Sequence, residues 1–260
     1  MKIASKTSRK INIGLFGGSG KMGQAVMQAL FEVNTKNKFI PYLFIGKKPS
    51  GQFALNFALN FTLNAEKIKN VEPEVLADVD VWIDFTSSRG LAELLTLTEK
   101  FKTPVVSGST GLTAKDFSKI KKRAQKRNIF WAANLSPGLW AFRQAMKGFS
   151  NVANFDFALE ETHHTQKKDR PSGTAKTLHA DLEKITNKKI STPVSLRLGG
   201  VFGVHTLYAA SASEVITLQH QALNRRVFAE GALMACRWLV QQKNGFYSMD
   251  DMFLKSKENL

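Results

Sequence analysis

Chemistry is concentrated in His163-His164-Thr165-Gln166-Lys167-Lys168-Asp169-Arg170-Pro171-Ser172-Gly173-Thr174, where two imidazoles, several fixed cations and a Ser-Gly-Thr turn share one short segment. Ordinary core or surface packing does not ask for that density. Imidazole titrates near neutrality and can pass a proton, while lysine supplies a compact, flexible positive charge. The Pro-Ser-Gly-Thr end reads as a turn feeding a helix, with Ser172 or Thr174 as its cap. Helix N-termini bind carboxylates and phosphates. Together these residue types point to a site for an anionic small molecule.

A second cluster, Gly17, Gly18, Ser19, Gly20, Lys21, Met22 and Gly23, follows the apolar run Ile11 to Phe16 and opens a stretch of helical periodicity reaching Val33. Gly18, Gly20 and Gly23 satisfy G-x-G-x-x-G, a turn that lets backbone N–H groups approach a pyrophosphate at a helix N-terminus. A P-loop is excluded, because Met22 follows Lys21 and Leu15 stands five positions before Gly20. Dinucleotide folds usually end their second strand in an acidic residue that holds the adenine ribose. Here no Asp or Glu occurs between Glu32 and Glu66, and the strand Phe39 to Ile45 runs into Gly46-Lys47-Lys48. Lys47 suits a 2′-phosphate, so NADPH is expected ahead of NADH; two solvated loop lysines are the alternative.

These clusters need elements to hold them. From Ile11 to Ala132, apolar strands alternate with amphipathic stretches, which argues for a parallel sheet covered on both faces. Val79 to Phe85, Pro104 to Ser107 and Ile129 to Ala132 are expected as further strands. Asp84 is read as ending its strand beside a coenzyme. Thr113 with Asp116 resembles a capping box, with Leu112 and Phe117 set as a hydrophobic staple. A repeat, Phe53-Ala-Leu-Asn, Phe57-Ala-Leu-Asn and Phe61-Thr-Leu-Asn, fits strand or helix equally and reads as core packing.

After Gly138 the rhythm changes to a helical stretch ending near Phe149, a strand at Phe155 to Glu161, a helix at Thr174 to Thr186 and strand-like runs between Val194 and His220. That order suggests a second, α+β region. Val227 to Gln241 returns as an amphipathic helix, expected to pack on the first domain.

Composition bounds the rest. With 260 residues, 43% of them hydrophobic, the chain can bury one large or two modest cores. No window approaches the roughly 18 consecutive apolar residues of a membrane span, and the N-terminus lacks the apolar core of a secretory signal. A cytoplasmic protein with no membrane partner is expected. The formal charge of +16 raises the question of nucleic acid. However, the only dense basic run, Lys119 to Arg127, is interrupted by apolar residues at helical spacing and reads as one solvated helix face, with no nucleic-acid partner. The single cysteine, Cys236, excludes an internal disulfide and reads as a small core residue. No metal site is expected at His163 and His164, because adjacent strand residues point to opposite faces. His179 reads as ordinary surface, and His205 and His220 as structural or peripheral.

Taken in order, the motifs resemble the dihydrodipicolinate reductase family, also called the 4-hydroxy-tetrahydrodipicolinate reductases. The likeness is carried by Gly17 to Gly23, Asp80-Val-Trp-Ile-Asp-Phe-Thr86, Gly108-Ser-Thr-Gly111, Ala132-Ala-Asn-Leu-Ser136 and Glu161 to Thr174, and continues through Gly203-Val-His205, His220 and Phe228-Ala-Glu-Gly-Ala232. It covers nearly the whole chain. The resemblance implies a Rossmann-like, doubly wound parallel α/β domain over residues 1–134, completed by 226–260. It also implies a mixed α+β substrate and oligomerisation domain over 135–225, assembled as a homotetramer. The implied reaction is reduction of a small cyclic dicarboxylate by NADPH or NADH in lysine and diaminopimelate biosynthesis.

By the same resemblance, His163 is the acid/base and Lys167 the catalytic lysine, with Lys168 beside it as the alternative, and His164, Gly173 and Thr174 are substrate contacts. Gly17, Gly18, Ser19, Gly20, Lys21, Met22, Gly108, Ser109, Thr110, Ala132, Ala133, Asn134 and Leu135 are dinucleotide contacts. Two rivals remain at this stage: another two-domain NAD(P) oxidoreductase of aspartate or homoserine dehydrogenase type, and a basic dinucleotide-sensing regulatory protein.

Overall fold

The computed structural model describes residues 10–33, 39–46 and 63–254. Lys47, and the repeat up to Thr62, lie outside the described residues. In chain order the elements are β1 (Ile11–Phe16), α1 (Lys21–Val33), β2 (Phe39–Ile45), β3 (Leu63–Ala65), α2 (Pro73–Ala77), β4 (Val81–Asp84), α3 (Ser88–Leu97), β5 (Val105–Ser107), α4 (Ala114–Ala124) and β6 (Asn128–Trp131). They continue with α5 (Pro137–Met146), β7 (Asp156–His163), α6 (Gly173–Thr186), β8 (Val194–Arg197), β9 (Gly203–Ala210), β10 (Val215–Ala222), α7 (Arg226–Leu239), β11 (Gly245–Tyr247) and α8 (Met249–Leu254). Two compact units result: Met1–Leu135 with Phe228–Leu260, and Ser136–Val227.

In the first unit the described strands form one seven-stranded sheet in the order β11-β6-β5-β4-β1-β2-β3, with every neighbouring pair parallel. Parallel strands covered on both faces are apolar throughout rather than alternating. Val81, Trp82, Ile83, Val105, Val106, Ile129 and Phe130 are accordingly all fully buried. Strand order reverses between β1 and β4, so the turns that follow the strands there open a crevice at one edge of the sheet. This is the doubly wound Rossmann-like arrangement.

Helix α4 starts as its sequence dictates. Thr113 Oγ1 accepts from Asp116 N at 3.2 Å, and Asp116 Oδ2 accepts from Thr113 N at 2.9 Å, closing the capping box. Its basic run needs one correction. Lys119, Lys121, Lys122 and Lys126 are exposed, but Arg127 is only 3% exposed. Lying past the helix end, it reaches beneath the C-terminus of α3 and donates to Leu95 O at 3.4 Å, Thr98 Oγ1 at 3.1 Å and Thr103 O. It thereby serves carbonyls that helix and strand geometry leave over. Burial pushes its pKa down to about 10. Cys236 is fully buried in α7, and burial raises its thiol pKa, which makes it an inert core residue. The α7 segment belongs to the first unit from Phe228 onward, and β11 then adds a strand beside β6 that no periodicity in the sequence foretells.

The second unit is a four-stranded mixed sheet in the order β10-β9-β7-β8, with β7 antiparallel to β9 and parallel to β8. Leu139, Phe142 and Met146 of α5 and Ala175, Leu178 and Leu182 of α6 pack on one face against Leu159, Leu207 and Ala209. Among the described residues of the chain no helix is long and apolar enough to cross a membrane.

Candidate active site

Strand alternation builds the site in the second unit. On β7, Leu159, Glu161 and His163 share the helix-covered face. The middle of that face is apolar core, whereas its end is polar. Pairing sets Glu161 opposite His205 and Ser195, His205 opposite His220, and His163 opposite Arg197, so residues far apart in sequence form one cross-strand row.

Glu161 is fully buried, and both of its oxygens accept two hydrogen bonds. Arg197 meets it in a bidentate fork, Nη2 to Oε1 at 2.9 Å and Nη1 to Oε2 at 3.1 Å. Ser172 N donates to Oε1 at 3.2 Å, and His163 Nδ1 donates to Oε2. Burial opposes the charge on Glu161, yet the Arg197 and His163 bonds hold its carboxyl below the ordinary carboxylate range. His163 is 9% exposed. Burial lowers its pKa, with Lys167 and Arg197 adding to the shift and Glu161 opposing it. Its other nitrogen, Nε2, faces Gly203, where a Cβ would stand 3.2 Å away.

Lys167 is partly exposed and pairs with Asp169 at 2.8 Å, while Lys168 and Arg170 are exposed. The lysine sits on a turn closed by Lys167 N donating to His164 O at 3.1 Å. His164 lies just past the end of β7, its Nδ1 buried without a partner among the described residues. Ser172, not Thr174, caps α6, accepting from Ala175 N at 3.1 Å. Gly173 and Thr174 therefore occupy the first helical turn, and beyond its chain neighbours and its own helix backbone nothing lies within 4 Å of where a Gly173 Cβ would be.

Three further placements correct or sharpen the sequence reading. His205 is not peripheral: it is 5% exposed, its ring lies 5.3 Å from that of His163, and its Nε2 lies 3.5 Å from Ser172 Oγ. His220 stacks beyond it at 6.5 Å. His179 is half-buried and hydrogen bonded to Ile190 O at 2.9 Å, so it fastens a loop rather than decorating the surface. Within the motif Glu161 carries no signal of a role, and Arg197 lies outside every motif. Strand alternation sets Glu161 beside His163, and the pairing of β7 with β8 brings in Arg197.

The first unit carries the other cluster. Because its strands are parallel, the turns after β1, β4, β5 and β6 all emerge at one sheet edge. The residues from Gly17 to Met22 leave β1 and enter α1, whose first turn has no acidic residue. Gly17 has φ +83°, and a Cβ on Gly18 would collide with the Phe44 ring. The turn is pinned to β2 by Gly17 N and Gly18 N, both donating to Ile45 O, at 3.0 and 3.2 Å. A turn that bears no side chain at Gly17, Gly18 and Gly20, set at a helix N-terminus, fits a pyrophosphate.

Beside it, Asp84 ends β4 fully buried and accepts from Ser107 Oγ and Ser109 Oγ at 2.7 Å each, and from Thr86 Oγ1 at 2.5 Å. Burial raises its pKa against the effect of those bonds. Asp84 thus ties the β4 turn to the Gly108-Ser109-Thr110 turn. The β6 turn joins them: Ala132 N donates to Ser107 O at 3.2 Å, ahead of Ala133, Asn134 and Leu135.

A doubly wound sheet with a glycine turn at its order reversal, together with a unit bearing an imidazole, carboxylate and guanidinium cluster, defines a dinucleotide-dependent oxidoreductase. Family models described as dihydrodipicolinate reductase, N-terminus and C-terminus, match residues 11–135 and 138–253. The chain belongs to the dihydrodipicolinate reductase family. It is 41% identical over 251 residues to the 4-hydroxy-tetrahydrodipicolinate reductase of Bdellovibrio bacteriovorus, covering 96% of this chain and 100% of the relative. The enzyme of the same name from Rickettsia bellii is 33% identical over 257 residues, covering 94% of each.

Among solved structures, a dipicolinate-bound dihydrodipicolinate reductase from Paenisporosarcina sp. TG-14 superposes with TM-score 0.75 at 19% identity, over 94% of this chain and 100% of that one. An amine dehydrogenase from Mycobacterium smegmatis gives TM-score 0.62 at 7% identity, over 92% and 95%. At such identities these two speak to the fold alone. The full-length family match does not favour the aspartate or homoserine dehydrogenase reading or the regulatory one.

Proposed function

We propose that this chain reduces 4-hydroxy-tetrahydrodipicolinate to tetrahydrodipicolinate in lysine and diaminopimelate biosynthesis, with His163 as proton donor and Lys167 as the cation that steadies the dicarboxylate. The net change adds one hydride and one proton to the substrate and releases one water. A bound reduced nicotinamide supplies the hydride. The proton comes from His163 Nε2, and the arriving dianion favours the imidazolium that must give it up. Lys167 offsets developing negative charge or holds a carboxylate, and it suits this better than Lys168 because it is partly buried and fixed by Asp169. His164, Gly173 and Thr174 hold the remaining carboxylate at the start of α6.

The observation that carries this reading is the buried Glu161 against His163 Nδ1, which leaves Nε2 as the reactive edge. Residues 1–134 with 226–260 take the dinucleotide, through Gly17, Gly18, Ser19, Gly20, Lys21, Met22, Lys47, Gly108, Ser109, Thr110, Ala132, Ala133, Asn134 and Leu135. Residues 135–225 take the substrate and build the assembly.

NADPH is preferred over NADH, because Gly46-Lys47-Lys48 stands where an acidic residue would repel a 2′-phosphate. The working form is a cytoplasmic homotetramer. Its assembly is supported by the outer face of the second sheet, where Val194, Leu196 and Val215 are 56%, 45% and 65% exposed. The test follows nicotinamide absorbance with freshly generated substrate and each reduced coenzyme in turn. Substrate-dependent oxidation of both, with higher kcat/KM for NADPH, is expected. Absence of oxidation with either coenzyme contradicts the reading.

A further inference from the structure

We infer that Glu161 and Arg197 are positioning residues of this reaction: the carboxylate fixes which nitrogen of His163 gives up the proton, and the guanidinium ties that choice to the loop bearing Lys167. The inference rests on His163 being the proton donor. The groups facing His163 are Glu161 on its own strand, Lys167 and Asp169 on the following loop, Arg197 on β8 and His205 on β9, with His220 beyond.

Glu161 Oε1 is met by Arg197 Nη2 and Ser172 N, and Oε2 by Arg197 Nη1 and His163 Nδ1. Three of these partners can only donate, so the carboxylate is an acceptor throughout and stays ionised. An unprotonated Nδ1 would set its lone pair against a carboxylate lone pair. Nδ1 therefore carries a hydrogen in both charge states, and only Nε2 exchanges its proton. In the step itself the Nε2–H bond breaks, its electron pair stays on nitrogen, and the proton neutralises the negative charge left on the ring by hydride addition. No proton passes to Glu161.

Arg197 is committed on all five N–H groups. Nε donates to Lys167 O at 3.1 Å, Nη1 to Glu161 and Leu196 O, and Nη2 to Glu161 and Asp169 O. One planar cation thus holds the carboxylate behind His163 and brackets the residue pair Lys167 and Asp169. A lysine has neither the fork nor the reach for both tasks.

The test is nitrogen-15 NMR of the histidines in the full-length protein, read together with steady-state kinetics. In the wild type the neutral His163 shows the Nδ1–H tautomer. In Glu161→Gln, that tautomer gives way to a mixture and the His163 titration midpoint falls. Turnover drops on the order of 10²-fold while KM stays within about threefold. Arg197→Lys keeps the tautomer but raises KM by about tenfold as the Lys167 loop loosens.

If Glu161→Gln fails to fold because it strands a buried guanidinium, the Glu161→Gln/Arg197→Gln pair removes both charges and carries the same tautomer test. A wild-type tautomer and midpoint without the carboxylate overturns the inference. A lost tautomer with undiminished turnover instead overturns His163 as donor and leaves the tautomer control standing.

Discussion

The role proposed for His163 depends on what surrounds it. Its Nδ1 is engaged by a carboxylate sealed from water, and its Nε2 is kept clear by a residue with no side chain. Gly203→Ala would set a methyl group 3.2 Å from Nε2, tighter than an ordinary contact, without asking β9 for an unusual backbone angle. Turnover is expected to fall about tenfold with the fold intact, as seen by kcat alongside far-ultraviolet circular dichroism. Unchanged kcat would show that Nε2 is not the reactive edge. At the residue scale the sequence displays the candidate groups and hides their partners. His163, Lys167 and Gly173 stand in one segment and signal chemistry by density. Arg197 is one of 37 cations, and Glu161 is one polar residue in an alternating strand, so nothing local marks either. Arg197 meets Glu161 and His163 through a strand register that pairs residues 34 positions apart.

The elements that hold these groups were easier to foresee where local chemistry and tertiary packing agree. β1, β2, the glycine turn and the α4 capping box follow from apolar runs, glycine spacing and a reciprocal cap. β11 did not announce itself: Gly245-Phe246-Tyr247 is too short to show a period, and it becomes a strand only because the edge of β6 is there to receive it. Arg127 misled because charge predicts solvent until a helix end needs its carbonyls served. The cap of α6 is the element with most riding on it, since Ser172 holds Ala175 N by its side chain while its own N–H donates to Glu161. Ser172→Ala should cost about 1 kcal/mol of stability by loss of the cap, measured by urea denaturation. The backbone bond to Glu161 is kept, so His163 should retain its Nδ1–H tautomer. Stability equal to wild type would mean the cap contributes nothing.

At the scale of the molecule, each unit has its own core, and the second carries a buried imidazole cluster that makes its stability sensitive to acid. Burial first, then the positive charges of His163, His220 and Lys167, push His205 down to about 4, with Glu161 opposing. An unfolded chain binds this proton near pH 6.5, whereas the folded one refuses it until about pH 4. Stability is therefore full above pH 6.5 and declines as pH falls toward 4, by up to about 3 kcal/mol. His205→Gln should flatten that decline in denaturant midpoints measured between pH 7 and pH 4. A variant with the wild-type slope would assign the acid sensitivity elsewhere.

The measurement that bears most directly on the whole account is the comparison of His163→Gln with wild type in turnover and in substrate dissociation constant. If His163 Nε2 delivers the proton, kcat falls on the order of 10²-fold or more while substrate affinity changes by less than about threefold. Turnover that stays near wild type would contradict it.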